Sequence, residues 1–292
     1  MLKTNSFHVV GTLIDVVSKK GSFKANGHNY INATATIKSV INGQDNIYKV
    51  RFFSSDVKAD GTPNKLYSVY EGLEGNYKGH RVEIDGTIRD NRFVGKDGQM
   101  HAGQTLEGKW ISAASESKMD EGTWTIGGFV ARDIEEKTNK NNEVYRYDFA
   151  IGQANYKEDN MSLFTLHIAP GDNVILNGVR KYKVGDTVTL NGKLNFIETT
   201  AVVEDKNNAF GEPVTKTFIN HNNNFFITSG SNPITDSSDP DKYNNQVIGT
   251  LVAAYKASGV EIQQKAASNA NSAAAVETNE ASKPSVRQTS LI

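Results

Sequence analysis

The chain has 292 residues, of which 37% are hydrophobic and 22% charged, a composition typical of a soluble globular protein. It has no cysteine, which excludes disulfides and thiolate metal sites. The formal net charge of −1 indicates no partner, but residues 1–120 carry 16 Lys and Arg against 13 Asp and Glu, whereas residues 121–230 carry 11 against 14. We expect a polyanion to prefer the first segment.

The first residues, MLKTNSFHVV, lack the long apolar run of a signal peptide. No stretch approaches the ~18 apolar residues that a membrane-spanning helix needs. We therefore expect a protein without a membrane partner, located in the cytoplasm, or in the host cytoplasm if the chain is viral.

Five segments of alternating apolar and polar residues follow one another in residues 1–118, and each is typical of a β-strand. They are FHVVGTLIDVVSK (7–19), YINATATIKSV (30–40), YKVRFFSSD (48–56), HRVEIDGTIRDNRF (80–93) and LEGKWISAAS (106–115). The gap at 63–79 opens with Pro and closes with Gly, and it can hold a short helix or a coiled connector. Gly11 and Gly86 lie where the strands of a small barrel must bend sharply.

The same order returns in residues 119–233, with strand-like segments at 124–136, 144–154, 162–172, 186–199 and 221–230. Gly128 and Gly192 take the positions of Gly11 and Gly86. Five strands with a helix-capable connector between the third and fourth is the order of the OB-fold. We predict an all-β protein of two tandem five-stranded OB-fold barrels, over residues 1–118 and 119–233. Two small β-sandwiches are the alternative.

Residues 234–262 predict an amphipathic helical segment, with Asp239 as N-cap and Pro240 at the first helical position. Apolar residues recur there every four positions, at Tyr243, Val247, Leu251 and Tyr255. This face either docks a partner or a second copy of the chain, or packs on the second barrel. Residues 263–292 are rich in Ala, Ser, Asn and Gln, which predicts a disordered tail.

Motifs of catalysis are missing from the sequence. The six histidines have no metal-ligand spacing, and the chain has neither a phosphate-binding loop nor a nucleophile elbow. We expect no enzyme activity, no metal and no cofactor, although scattered catalytic residues would leave no such trace.

Basic and aromatic residues interleave in three segments of the first copy. Cations follow a phosphate backbone, and aromatic rings stack unpaired bases without needing a particular sequence. The predicted DNA-binding residues are Lys19, Lys20, Phe23, Lys24, Tyr30, Lys49, Arg51, Phe53, Arg89, Arg92, Phe93 and Lys96. If Tyr48, Val50 and Phe52 face the core, then Lys49, Arg51 and Phe53 face outward. The alternative is that Phe23 and Phe93 cap the barrel ends.

The second copy is less basic. Its predicted DNA-binding residues are Lys137, Lys140, Tyr145, Arg146 and Tyr147. The third-strand residues expected to face outward, Leu163, Thr165 and His167, include no Lys or Arg. We expect a weaker extension of the DNA track, with support of the first barrel or a protein interface as alternatives.

The chain resembles tandem OB-fold single-stranded DNA-binding proteins of the kind that large bacteriophages encode. The resemblance rests on the duplicated five-strand pattern over residues 5–230 and on the basic and aromatic loops, with no short diagnostic motif. It implies a non-catalytic protein that coats exposed strands, of DNA or of RNA, during replication, recombination and repair. It also implies a C-terminal tail that recruits replication or recombination proteins.

The C-terminus departs from that pattern. Bacterial members usually end in an acidic tip with a terminal Phe, whereas this chain ends KPSVRQTSLI. We therefore do not expect recruitment of partners through such an acidic tip. Two other functions stay open because tandem β barrels with aromatic surfaces also serve them: a structural or virion interaction protein, and an oligosaccharide-binding module. The sequence does not decide the oligomeric state.

Overall fold

The computed structural model describes residues 1–95, 97–204 and 215–281. The protein is mostly β, with a closed five-stranded barrel, further strands and a C-terminal helix. The elements of the first half are β1 (Asn5–Ser22), β2 (Asn29–Ile41), β3 (Gln44–Ser55), α1 (Lys65–Glu71), α2 (Leu73–Tyr77), β4 (Arg81–Val94) and β5 (Met100–Ala113). The two short helices occupy the predicted connector between the third and fourth strands.

The first half closes into a barrel. β1 pairs with β2 and β4, β2 pairs with β3, and β4 pairs with β5. A parallel contact at Val50 and Leu106 joins β3 to β5 and completes the circle. At Gly86, where the register of β4 and β5 shifts, a Cβ atom would lie 2.1 Å from the Glu107 carbonyl oxygen. Only glycine allows that approach, so the predicted barrel and its bend in the fourth strand are confirmed here.

The second half contains β6 (Glu121–Thr138), β7 (Val144–Ala154), β8 (Met161–Ile168), α3 (Asn173–Val179), β9 (Thr187–Glu204) and β10 (Thr215–Gly230). β6 pairs with β7 and β9, β7 with β8, and β9 with β10. β8 and β10 share a single register pair, His167 with Phe226. The tandem-barrel arrangement stays a prediction.

The two halves are joined strand to strand. β1 pairs antiparallel with β6 from Asn5 opposite Ile126 to Val10 opposite Glu121, so all ten strands form one hydrogen-bonded sheet. The buried Tyr48 hydroxyl also donates to the Leu194 carbonyl oxygen at 3.0 Å. Such bonds leave the halves little freedom to move independently.

The C-terminal helix α4 spans Asn245–Ala281. It does not begin at Pro240 as predicted: the Lys242 N–H closes a single turn on the Asp239 carbonyl oxygen at 3.1 Å, and the next N–H, of Tyr243, donates to the Thr187 hydroxyl at 2.9 Å instead of continuing a helix. Asn244 is the cap instead, and its side chain accepts from the Val247 N–H at 2.9 Å. The helix continues through 263–281, where alanine, the best helix former, recurs, and the predicted disorder of residues 263–292 stays a prediction. Residues 282–292 lie outside the described part.

The apolar face of α4 packs on the protein's own second half. Tyr243 and Leu251 are 2% and 1% exposed, in a cluster with Phe129 and Met161. Val247 and Tyr255 pack against the same cluster. The predicted partner-binding face of Tyr243, Val247, Leu251 and Tyr255 is therefore corrected to an internal packing face. Across the residues that the structure describes, no helix has both the length and the apolar character to span a membrane.

Candidate nucleic-acid interface

Strand β3 presents a basic and aromatic face to solvent. Tyr48, Val50 and Phe52 are fully buried, whereas Lys49, Arg51 and Phe53 are exposed. This alternation confirms the predicted orientation of the strand. It arises because successive side chains of a strand point to opposite faces.

Neighbouring strands extend this face into rows. Lys19 on β1 lies opposite Asn32 on β2, which lies opposite Phe53 on β3. In the next row, Val17 lies opposite Thr34, which lies opposite Arg51. Adjacent strands are ~4.8 Å apart, so each row is about two strand spacings wide. We call this surface, formed by the outward residues of β1, β2 and β3, the open face.

Three predicted aromatic residues meet at one end of the open face. The ring centroids of Phe23 and Tyr30 lie 4.9 Å apart, those of Tyr30 and Phe53 5.9 Å, and those of Phe23 and Phe53 6.4 Å. Phe53 is 57% exposed and Phe23 37% exposed. Exposed rings in mutual contact form a surface on which unpaired bases can stack. Phe23 thus lies in an exposed cluster instead of capping the barrel.

A glycine on β1 makes room for Tyr30. Gly21 is the register partner of Tyr30, and a Cβ atom at Gly21 would lie 2.6 Å from the Tyr30 ring. The ring therefore lies directly over the glycine backbone. This packing holds one ring of the cluster in place before any ligand arrives.

The cations of the open face differ in availability. Among the described residues, Lys19, Lys24 and Arg51 have no ion-pair partner. The Lys20 Nζ lies 2.5 Å from Glu71 Oε1, and this carboxylate raises the pKa of Lys20. The Lys49 Nζ lies 3.0 Å from Glu198 Oε1, on β9 of the second half. Uncompensated positive charge is therefore concentrated near the aromatic cluster.

The β4–β5 hairpin has a different role from the one predicted. Arg92 is not on the open face: its guanidinium stacks over the Tyr255 ring at 3.7 Å and donates to the Tyr255 carbonyl oxygen and the Ser258 hydroxyl. With a side chain only 14% exposed, Arg92 is corrected from a DNA contact to a joint between the hairpin and α4.

The other predicted residues of the hairpin that the structure describes are exposed, but they already have partners within the hairpin. Arg89 pairs with Glu107 at 2.9 Å, and Phe93 stacks on His101 with ring centroids 5.6 Å apart. The His101 ring lies 3.0 Å from Asp97, whose pKa it lowers. Lys96 lies outside the described residues. Arg89 and Phe93 keep their predicted role as a proposal.

The corresponding face of the second half is covered by this same hairpin. The Leu163 N–H donates to Asp90 Oδ2 at 3.1 Å, and the Thr165 N–H donates to Gln104 Oε1 at 2.6 Å. Burial, the largest cause, raises the pKa of Asp90. His167, predicted to face outward, is only 6% exposed because its Nδ1 accepts from the Phe225 N–H. Little of the β8 face is left open.

Four of the predicted DNA-binding residues of the second half lie on the paired strands β6 and β7, and Lys140 lies in the loop between them. Tyr147 is partly buried against the hydrophobic core, and its role stays a prediction. Arg146 donates to Asp148 at 2.7 Å and lies 5.5 Å from the exposed Tyr145 ring. Lys137 bonds to Glu135, and Lys140 is exposed. The structure therefore brings Lys137, Tyr145 and Arg146 together, since Lys137 on β6 is the register partner of Arg146 on β7.

A polar cavity of about 420 Å³ remains between the hairpin and the second half. Arg146, Asp148 and His167 line it. Burial and the nearby Arg146 charge lower the pKa of His167 to about 4, against the opposing effect of Asp148. Because Arg146 is already neutralised by Asp148, this cavity offers a polyanion less attraction than the open face does.

Val17 and Trp110 are among the exposed apolar residues that the sequence analysis did not single out. Val17, 60% exposed, lies on the open face beside Thr34, and the strand period after the buried Val16 would have predicted its orientation. Trp110, 65% exposed, lies opposite Asp85 on β4 and belongs to another face. No group of three or more His, Asp or Glu residues that could hold a metal is found within the described ranges.

Three comparisons place the chain among known proteins. No curated protein matches it. It is similar to crystal structures of the single-stranded DNA binding protein from Thermus aquaticus: the wild type has 12% identity and a TM-score of 0.49, with 84% of this chain and 99% of that chain covered. A deletion mutant of that protein has 13% identity and the same TM-score, with 82% and 100% covered.

A further solved structure covers less. The mitochondrial single-stranded DNA binding protein Rim1 from S. cerevisiae has 20% identity and a TM-score of 0.28, with 39% of this chain and 98% of that chain covered. The family model named YorF, by contrast, matches residues 3–272, which is nearly the whole described chain. The chain therefore belongs to the YorF family.

Proposed function

We propose that this chain is a non-catalytic protein that binds single-stranded DNA with little sequence preference, mainly through the open face of its first half. The observation that carries the proposal is the exposed cluster of Phe23, Tyr30 and Phe53 beside the unpaired Arg51 and Lys19. Rings that touch one another can stack successive bases, at ~1–3 kcal/mol per base. The adjacent cations can follow the phosphates and release their counterions.

The same geometry favours a single strand over a duplex. A duplex hides the faces of its bases inside its own stack, so the aromatic cluster would have nothing to contact. The proposal rests on this surface and not on the three structural likenesses, because their TM-scores are below 0.5. It includes two OB-fold barrels in tandem, supported by the matching strand pairs of the two halves.

A coat of this kind would protect strands exposed in replication, recombination and repair, as bacteriophage proteins of this type do. Protein partners, if the C-terminal part recruits them, would need residues other than the buried Tyr243 and Leu251.

The test is fluorescence polarisation of a labelled dT oligonucleotide of about thirty nucleotides, long enough for more than one OB-fold site. The titration is run at two salt concentrations with a matched duplex as competitor. We expect tight binding that weakens steeply with salt and that the duplex fails to displace. Binding that is absent even at low salt would reject the proposal and redirect attention to assembly partners. Salt-independent binding of an oligosaccharide would favour the sugar-binding alternative.

A further inference from the structure

A cavity opens directly beside the aromatic cluster, on the side away from Arg51's row. It has a volume of about 310 Å³ and lies between the loop that follows β1 and the loop that follows β3. Phe23 belongs both to its wall and to the aromatic cluster. The other lining residues used below are Asn26, His28, Lys58 and Ala59.

Both walls of the cavity are hydrogen-bonded turns. In the first loop, the Phe23 N–H donates to the His28 carbonyl oxygen at 2.8 Å, and Gly27 has a φ of +73°. In the second loop, the Lys58 N–H donates to the Thr62 carbonyl oxygen at 2.8 Å, and Gly61 has a φ of +82°. These left-handed positions suit glycine, so the loops hold their shape and the cavity is preformed.

One cation and two carboxylates belong to the loop that follows β3 and forms one wall of the cavity. Lys58 has no ion pair within the described part of the chain. The Asp56 carboxylate contacts the end of the first loop: its Oδ1 lies 3.9 Å from His28 Nδ1, and its Oδ2 accepts from the Asn29 N–H. Asp60 is held in its own turn by Thr62, whose hydrogen bonds lower the pKa of Asp60. With one cation against two carboxylates, the cavity has no excess of positive charge, so its aromatic wall suits an uncharged ring better than an isolated anion.

We propose that this cavity receives one nucleobase of the bound strand, next to the bases stacked on the aromatic cluster. The inference rests on the proposed function, and it places the end of the DNA-binding surface at this cavity, beside the open face. The base lies against Phe23 and the His28 imidazole, and the Asn26 side chain and the Lys58 ammonium lie at its rim, where Lys58 meets the phosphate of the same nucleotide. The volume of the cavity, about 310 Å³, falls in the range of small-ligand pockets, ~300–1,000 Å³.

The test fills the cavity without touching the cluster. Ala59→Phe adds a ring at an exposed loop position that lines the cavity, and circular dichroism and the melting temperature confirm that the variant is folded. Binding is measured by fluorescence polarisation on dT oligonucleotides of about 4 to 16 nucleotides. We expect the wild-type affinity to rise by a final step of about fivefold or more as the strand becomes long enough to reach the cavity. Ala59→Phe should lack that step.

A second variant tests the phosphate contact if Ala59→Phe does not fold. Lys58→Ala should lower the slope of log affinity against log salt by about 0.7, the single-strand value for one phosphate. Lys65→Ala, which removes an exposed charge that does not line the cavity, should leave the slope unchanged.

The outcomes separate this inference from the proposed function. The cavity is overturned as a base site if the wild type binds and Ala59→Phe has the same affinity as the wild type at every length. It is also overturned if Lys58→Ala and Lys65→Ala have the same salt slope. Either result leaves single-strand binding by the open face intact. No wild-type binding at any length overturns both.

Discussion

The two halves of the molecule share one strand order but treat the same face in opposite ways. In the first half, the outward side of β2 and β3 is open, and Arg51, Phe53 and Tyr30 meet solvent. In the second half, the β4–β5 hairpin lies across β8, with Asp90 and Gln104 bonded to its backbone N–H groups. A repeated fold therefore does not imply a repeated site, because one copy can cover the other's surface.

The largest expected effect comes from loosening the helix that packs on the second half. Leu251→Ala removes a side chain that is 1% exposed and should lower the free energy of unfolding by about 2–5 kcal/mol. Binding of single-stranded DNA per folded molecule should be unchanged, since the open face lies in the first half. Urea denaturation and polarisation measure the two quantities. Val260→Ala, at a position 52% exposed on the same helix, is the control and should cost less than about 0.5 kcal/mol.

Acid should destabilise the second half through His167. Its folded pKa of about 4 lies below the ordinary value of 6.5, so the folded state binds fewer protons than the unfolded state does. The neutral His167 therefore stabilises the folded state by a free energy on the order of 3 kcal/mol. This stabilisation is complete above pH 6.5 and is lost as the pH falls towards 4. The physical reasons are the burial of the imidazole and the nearby Arg146 charge, which both disfavour the protonated ring. Unfolding measured from pH 7 to 4 should be flatter in His167→Gln and unchanged in His80→Gln; identical profiles in all three proteins would refute the assignment.

The contrast between the two faces is tested directly by paired substitutions. The double variant Arg51→Ala, Phe53→Ala should weaken single-strand affinity about 10- to 100-fold, because it removes a stacking ring and a free cation. The matched double variant Tyr145→Ala, Arg146→Ala should weaken it much less, since Arg146 is already paired with Asp148. Polarisation with labelled dT gives both values. The reverse ranking would move the main site to the second half.

The smallest expected effect concerns the boundary between the halves. Glu198 Oε1 lies 3.0 Å from Lys49 Nζ and 2.8 Å from His221 Nδ1, so it competes with a phosphate for Lys49. Glu198→Gln should raise single-strand affinity by about two- to fivefold at low salt. The control is Glu116→Gln, which removes an exposed carboxylate that has no ion pair among the described residues. An unchanged affinity in Glu198→Gln would show that Lys49 takes no part in binding.

Local pattern was sufficient for the open face. The alternation of YKVRFF fixes which residues of β3 face solvent, because the side-chain period of a strand is two residues. The order of five strands with a connector likewise predicted the closed barrel. Phe23 and Tyr30 were identified as aromatic neighbours of cations, but their contact with Phe53 depends on the β1–β2 turn, which brings Gly21 opposite Tyr30.

Long-range packing was not predictable in the same way. Arg92 has the same basic and aromatic neighbours in sequence as Arg89, yet it contacts Tyr255, more than 160 positions away. His167 was expected from the alternation of its strand to face outward but is 6% exposed, because the β10 backbone at Phe225 contacts its ring. The helix start at Pro240 was also wrong for a long-range reason: after the single turn of Asp239 and Lys242, the Tyr243 N–H donates to the Thr187 hydroxyl, 56 positions away, and the helix begins only at Asn245.

The sequence by itself determined the strands, the inward and outward residues of β3 and the excess of cations in the first half, since these depend on local periodicity and composition. Only the tertiary structure decided which of two similar faces stays open. That choice depends on where the β4–β5 hairpin and α4 come to lie, and it is made by contacts between residues far apart in the chain, such as Arg92 with Tyr255 and Asp90 with Leu163.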